Sequence, residues 1–241
     1  MTYSIVAHDP ATGELGVAVA SCFFAAGAIV PHLSSVVAIA TQAWPNPLYG
    51  VEGLGRIAAG EDPAQVLSDM SARDAGRDRR QCHMIDASGR IAAHTGQACS
   101  DWAGHAAGPG VSAAGNILAG PDVVDAMVAA YLDSARLPFA ERLLAALDAA
   151  EAAGGDRRGR QSAGLAVTRG QDWRHLDLRV DDHADPLSEL RRLYDVAGEI
   201  YLKVADHLPT REAFGRLPPD AVPGPEDPGL SRSRAWARPA G

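Results

Sequence analysis

A chain of 241 residues, 46% apolar and 22% charged, holds enough apolar material for one sizeable core. Its net charge of −8 argues against nucleic acid or an anionic membrane as partner. With no apolar run near about 18 residues and no basic-then-apolar leader, the expectation is a cytoplasmic protein without signal peptide or membrane helix.

Residues 3–9 and 15–21 are two strand-like runs joined by a tight turn with Asp9, Pro10 and Gly13, which predicts a β-hairpin. A β-branched strand follows at 35–42. Helices are predicted at 49–59 and 62–73, the second with Pro63 in its first turn. A second hairpin is predicted at 81–87 and 90–95, then a strand at 111–116. Amphipathic helices follow at 122–132 and 139–153. A final hairpin is predicted at 163–169 and 173–180, and a closing helix at 186–207. Locally pairing strands alternating with helix pairs imply an α+β protein of two stacked antiparallel sheets between helical layers. Residues 1–207 form the expected domain. Residues 208–241, rich in Pro, Gly and Arg, are expected to be a flexible tail.

Thr2 is the most informative residue. It opens the first strand behind Met1, which methionine aminopeptidases generally remove before a residue as small as threonine. Processed Thr2 carries a hydroxyl and a free amine on one residue, a nucleophile with its own base. An α-amine titrates near pH 7.7–8.0, so part of it is neutral at physiological pH. Ser21 ends the second strand of the hairpin and is expected beside Thr2, either as its hydrogen-bond partner or as an ordinary loop cap. Lys203 is the sole lysine, so none lies in the first 202 residues to activate a nucleophile.

Gln42, Asn46 and Asn116 sit at strand ends, where an amide can donate to an oxyanion or contact substrate, or equally serve turns and caps. Arg80 enters a strand, followed by Gln81, and is the first candidate for electrostatics near the nucleophile. The loop Gly154-Gly155-Asp156-Arg157-Arg158-Gly159-Arg160-Gln161-Ser162 packs glycines, an acid and three arginines before a strand. Asp156, Arg158, Gln161 and Ser162 are its candidate ligand contacts, with Arg158 a carboxylate clamp. Asp177, Arg179 and Asp181 alternate on one strand face, with Asp182 and His183 just beyond. They are candidates for substrate contact, for an ion-pair ladder or, less favourably, for a divalent metal. Cys22, Cys82 and Cys99, an odd count without CxxC spacing, suit a reducing compartment.

The opening Ser4-Ile5-Val6-Ala7-x-Asp9-Pro10-x-Thr12-Gly13-Glu14 resembles that of domain-of-unknown-function family 1028, an N-terminal nucleophile (Ntn) hydrolase-like family. So do Ala40-Thr41-Gln42-Ala43, Gly115-Asn116-Ile117-Leu118-Ala119-Gly120, the arginine loop, and Asp177 to His183. The resemblance spans about residues 2–197. It implies a four-layer αββα sandwich and strengthens the reading of Thr2 as nucleophile. With the strand-end positions of Ser21 and Asn116, the candidate catalytic set is Thr2, Ser21 and Asn116. Ala114 departs from it, since many relatives carry glutamine there. The function expected is hydrolysis of an amide C–N bond in a small acidic substrate through Thr2, without cofactor or metal, and compatible with a homodimer. Two other readings stay open: a non-catalytic small-molecule-binding or assembly protein on the same fold, and a metal-dependent hydrolase centred on Asp181, Asp182 and His183.

Overall fold

Strands β1 (Thr2–Asp9) and β2 (Glu14–Ser21) pair in unbroken antiparallel register, from Thr2 opposite Ser21 to Asp9 opposite Glu14. The turn closes through Gly13 N–H donating to Asp9 O at 2.8 Å, with Gly13 at φ +71, a value glycine adopts without penalty. The computed structural model describes residues 2–217 and Pro219. The tail expected over 208–241 therefore lies, at 218 and from 220 on, outside the described residues.

The contacts divide the chain into two units, Met1–Leu193 and Tyr194–Gly241. In the first unit, α1 (Ala26–Ile29), β3 (Pro31–Leu33) and β4 (Val37–Ala43) follow the hairpin. Then come α2 (Pro47–Ala58), α3 (Pro63–Arg73), β5 (Arg80–Asp86), β6 (Ile91–Thr95), β7 (Trp102–Gly108) and β8 (Val111–Leu118). Helices α4 (Asp122–Asp133) and α5 (Phe139–Ala152) precede β9 (Ser162–Arg169), β10 (Leu176–Val180) and α6 (Pro186–Glu199). Helix α6 starts in the first unit and ends in the second, which also holds α7 (Tyr201–Ala205).

The described residues thus form a mixed α+β structure of seven helices and two antiparallel sheets, ordered β10-β9-β2-β1-β8-β7 and β3-β4-β5-β6. Helices α4 and α5 pack on β8, β7, β1 and β2; α2 and α3 pack on β3, β4, β5 and β6. Strands β1, β2 and β8 in turn touch β4 and β5 of the other sheet. Alternation sorts the side chains: Val37, Ile39, Cys82 and Met84 face α2 and α3, while Val6, Val17, Val19, Ala38, Ala40 and Ile85 share the core between the sheets. Helix starts follow the sequence chemistry: Asn46 Oδ1 accepts Leu48 N–H at 3.1 Å and Asp62 Oδ1 accepts Ala64 N–H at 2.8 Å, each ahead of a first-turn proline.

Three differences from the sequence expectation stand out. Strand β7, Trp-Ala-Gly-His-Ala-Ala-Gly, is an edge strand of small residues that lacks any β-branched signal. The four-residue α1 and three-residue β3 are too short to carry a period. The single helix expected over 186–207 breaks at Ile200 (φ −140, ψ −45), just after the weak helix former Gly198.

Candidate functional site

Thr2 lies between two strands, opposite Ser21 on β2 and opposite Asn116 on β8. Its side chain is buried, with Oγ1 3.0 Å from Ser21 Oγ. Asn116 Nδ2 reaches the carbonyl oxygen of Thr2 at 3.4 Å and Gln81 Oε1 at 3.0 Å. The three residues expected to be catalytic are therefore adjacent. Beside Thr2 a cavity of about 230 Å³ is lined by Thr2 and Gln42 and by Phe23, Ala26, Ile29, Val30, Ala43, Trp44 and Pro45.

The gap between the sheets changes character along its length. Where the apolar core ends, Thr2, Ser4, Gln42, Gln81, His83, Ser112 and Asn116 meet, all buried. Buried polar groups are tolerated only when bonded, and these are joined in sequence. Ser4 Oγ donates to Gln42 Oε1 at 2.6 Å, because Gln42 Nε2 must face the carbonyl of Ala114 (3.2 Å) and Gln81 Oε1 (2.8 Å). A hydroxyl has one hydrogen, so Ser4 Oγ accepts from His83 Nε2–H at 2.8 Å. His83 Nδ1 then accepts from Ser112 Oγ at 3.0 Å. The donors run one way from Ser112 through His83, Ser4 and Gln42 to Gln81, and this fixes the neutral Nε2–H tautomer. Burial, aided by His105, lowers the His83 pKa to about 3. Gln81 Nε2 is shared among the carbonyls of Gly104 and Gly115 and Thr95 Oγ1 at 2.8–3.0 Å.

Backbone strain gathers at this end. Ile117, next to Asn116, is at φ +56, where a β-branched residue is an outlier. Register slips between Trp102 and Ala103, which pair with Leu118 and Asn116, so Ile117 is a bulge that sets the aim of Asn116. Its N–H donates to Ser100 O, next to Asp101 at φ +52. Ala43, on the cavity wall, is at φ +68, and Ala25, ahead of α1, is at φ +53. Each such residue costs about 1–3 kcal/mol and persists only where the surroundings impose it, which happens most often at functional sites.

The remaining predicted contacts have structural partners. Asn46 caps α2 and reaches Asp74 Oδ2 at 3.4 Å. Arg80 is paired with Asp74 at 3.0 Å and donates to Trp44 O at 2.8 Å, steadying the cavity rim. In the arginine loop, Asp156 accepts from Cys22 N–H at 3.0 Å and from Arg158 N–H at 2.8 Å. Gln161 N–H donates to Ser21 O at 2.9 Å, and Ser162 Oγ donates to Phe23 O at 2.6 Å and accepts from Ala26 N–H at 3.1 Å. The loop thus clamps the segment from Ser21 to Ala26 that carries Thr2's partner and part of the cavity wall. Gly164 has the same role: a Cβ there would stand 2.9 Å from the Cα of Gly27 in α1.

The arginines that would read an acidic substrate each face a carboxylate: Arg157 with Asp101 (3.7 Å), Arg158 with Asp156 (3.5 Å), Arg160 with Glu151 (3.1 Å). Arg179 is bound to Asp181 at 2.8 Å and Asp177 to Arg174 at 2.6 Å, so the anticipated ladder divides into two separate pairs. Asp182 accepts from Gln161 Nε2 at 3.0 Å, and His183 Nδ1 accepts from Asp185 N–H at 3.0 Å. Among the described residues no group of three or more His, Cys, Asp and Glu is set to hold a metal ion. No described helix is long and apolar enough to cross a membrane.

Sequence reasoning passed over Ser4, His83 and Ser112. A signal was present: Thr2 and Ser4, Gln81 and His83, Ser112 and Asn116 are polar residues on a shared face of otherwise apolar strands.

The model of the family of unknown function DUF1028 matches residues 2–190. The crystal structure of protein SPO2555 from Silicibacter pomeroyi, assigned to the same family, is 33% identical. It matches over 91% of this chain and 96% of its own, with a TM-score of 0.84. No curated protein matches the sequence.

Proposed function

The chain belongs to the DUF1028 family, and from that premise we propose that it is an Ntn hydrolase that cleaves an amide C–N bond of a small molecule through Thr2. Two facing antiparallel sheets with α4 and α5 against one and α2 and α3 against the other support the four-layer αββα reading. The observation that carries the activity is the Thr2 hydroxyl, 3.0 Å from Ser21 Oγ on the wall of a cavity of about 230 Å³.

In this reading Met1 is removed and the Thr2 amine is the base, titrating near pH 7.7–8.0. The amine takes the hydroxyl proton while Oγ1 bonds to the amide carbon. Ser21 holds Oγ1 in the attacking position. The C–N bond then breaks, the proton passes to the leaving nitrogen, and an ester on Thr2 remains. Water repeats the sequence, breaking the ester and restoring the hydroxyl. Gln42 has its amide hydrogens engaged at 2.8 and 3.2 Å, whereas Asn116 gives one to Gln81 at 3.0 Å and reaches the Thr2 carbonyl with the other only at 3.4 Å. Asn116 is therefore the group with a hydrogen to offer the oxyanion.

The test is turnover of a panel of simple amides by Thr2→Ala and Thr2→Ser. Folded Thr2→Ala should be inactive and Thr2→Ser partly active; undiminished turnover by Thr2→Ala would reject the mechanism.

A further inference from the structure

We propose that the cavity beside Thr2 receives an uncharged, apolar acyl group, so that the substrate is an N-acyl compound whose acyl part lacks charge; this rests on the Thr2 reading and names the class of its substrate. Thr2 and Gln42 are the only polar residues lining the cavity among the described residues, and no charged side chain lines it. The Gln42 amide is engaged on both sides, by Ser4 at its oxygen and by Gln81 and Ala114 O at its nitrogen. No side chain of the lining offers a counter-charge and the Thr2 amine must be neutral to act as base, so an occupant with a charge would lose its hydration uncompensated. Arg80, bonded to Trp44 O at the rim, already faces Asp74.

The apolar lining continues outward. Phe23 and Trp44 keep 57% and 68% of their surface exposed although both line the cavity, an uncommon arrangement for large aromatics that an apolar occupant would relieve. A cavity of about 230 Å³ lies below the ~300–1,000 Å³ of pockets that take drug-sized ligands and suits a short acyl chain. The chemistry selects the acyl side. Oγ1 bonds to the acyl carbon, so that part stays in the cavity through the ester stage, while the amine departs and becomes charged in water.

The experiment compares the p-nitroanilides of hexanoic and adipic acid, which share chain length and leaving group and differ in a terminal methyl against a carboxylate. The protein should cleave the hexanoyl compound with kcat/KM at least about tenfold higher. In parallel, calorimetry on Thr2→Ala, which cannot turn over, should detect binding of hexanamide and not of adipamate. Preference for the adipoyl compound, or equal binding of the two amides, overturns the apolar assignment and leaves the Thr2 chemistry standing. Hexanamide binding with neither anilide cleaved upholds the cavity assignment and rejects the Thr2 reading. Binding of neither amide overturns the inference.

Discussion

Acid should destabilise this protein through one buried side chain. His83 is neutral between Ser4 and Ser112, and burial lowers its pKa to about 3, against about 6.5 in the unfolded chain. Between those values the unfolded state binds a proton that the folded state refuses, so stability is fully present above about pH 6.5 and is lost as pH falls toward 3. The slope is about 1.4 kcal/mol per pH unit, summing to on the order of 5 kcal/mol, comparable with the total stability of a small domain. His8, His32 and His105 are shifted the same way by burial and add to the trend. The comparison that isolates His83 is His83→Gln. The amide keeps a donor toward Ser4 and leaves the Ser112 hydroxyl without its acceptor, a pH-independent cost of about 1–3 kcal/mol. Urea unfolding from about pH 7 down to about pH 4 should give a wild-type slope steeper than the variant's by up to about 1.4 kcal/mol per unit. Parallel curves would refute the reasoning, because His83 would then titrate alike in both states.

Ser21→Ala should lower kcat about tenfold, the worth of one net hydrogen bond to Oγ1, with little change in the thermal midpoint; steady-state kinetics checks it. Asp156→Ala removes the acceptor of the Cys22 and Arg158 amides and should cost about 2–4 kcal/mol in urea unfolding while loosening the cavity wall and raising KM. Prolonged chelation should leave activity and thermal midpoint unchanged, since Asp181 is matched by Arg179 and Asp182 by Gln161. A fall in either would revive the metal reading.

The first hairpin was fully legible in the sequence. Two strand-like runs joined by a tight turn at Gly13 leave one register, and that register sets Ser21 opposite Thr2. The partner on the other side was not derivable that way. Asn116 pairs with Thr2 across more than a hundred residues, and its aim depends on a bulge at Ile117 that no local pattern encodes. The polar layer was missed for a different reason. His83 stands between Cys82 and Met84 in a strand that reads as core, and its role exists only because Ser4 and Ser112 arrive from the other sheet. The arginine loop shows what composition leaves open. Its composition points to carboxylate partners without naming them. In the folded chain the carboxylates that face its arginines are the protein's own Asp101, Asp156 and Glu151, which arrive from outside the loop or from its first turn.

The central claim is that Thr2 acts with its own free amine, and the intact mass of the active protein tests it most directly. Fractions that cleave amides should carry the mass of the chain without Met1, beginning at Thr2. Full activity in a fraction whose mass retains Met1 would contradict the claim, because a peptide nitrogen at Thr2 has no lone pair available to accept the hydroxyl proton.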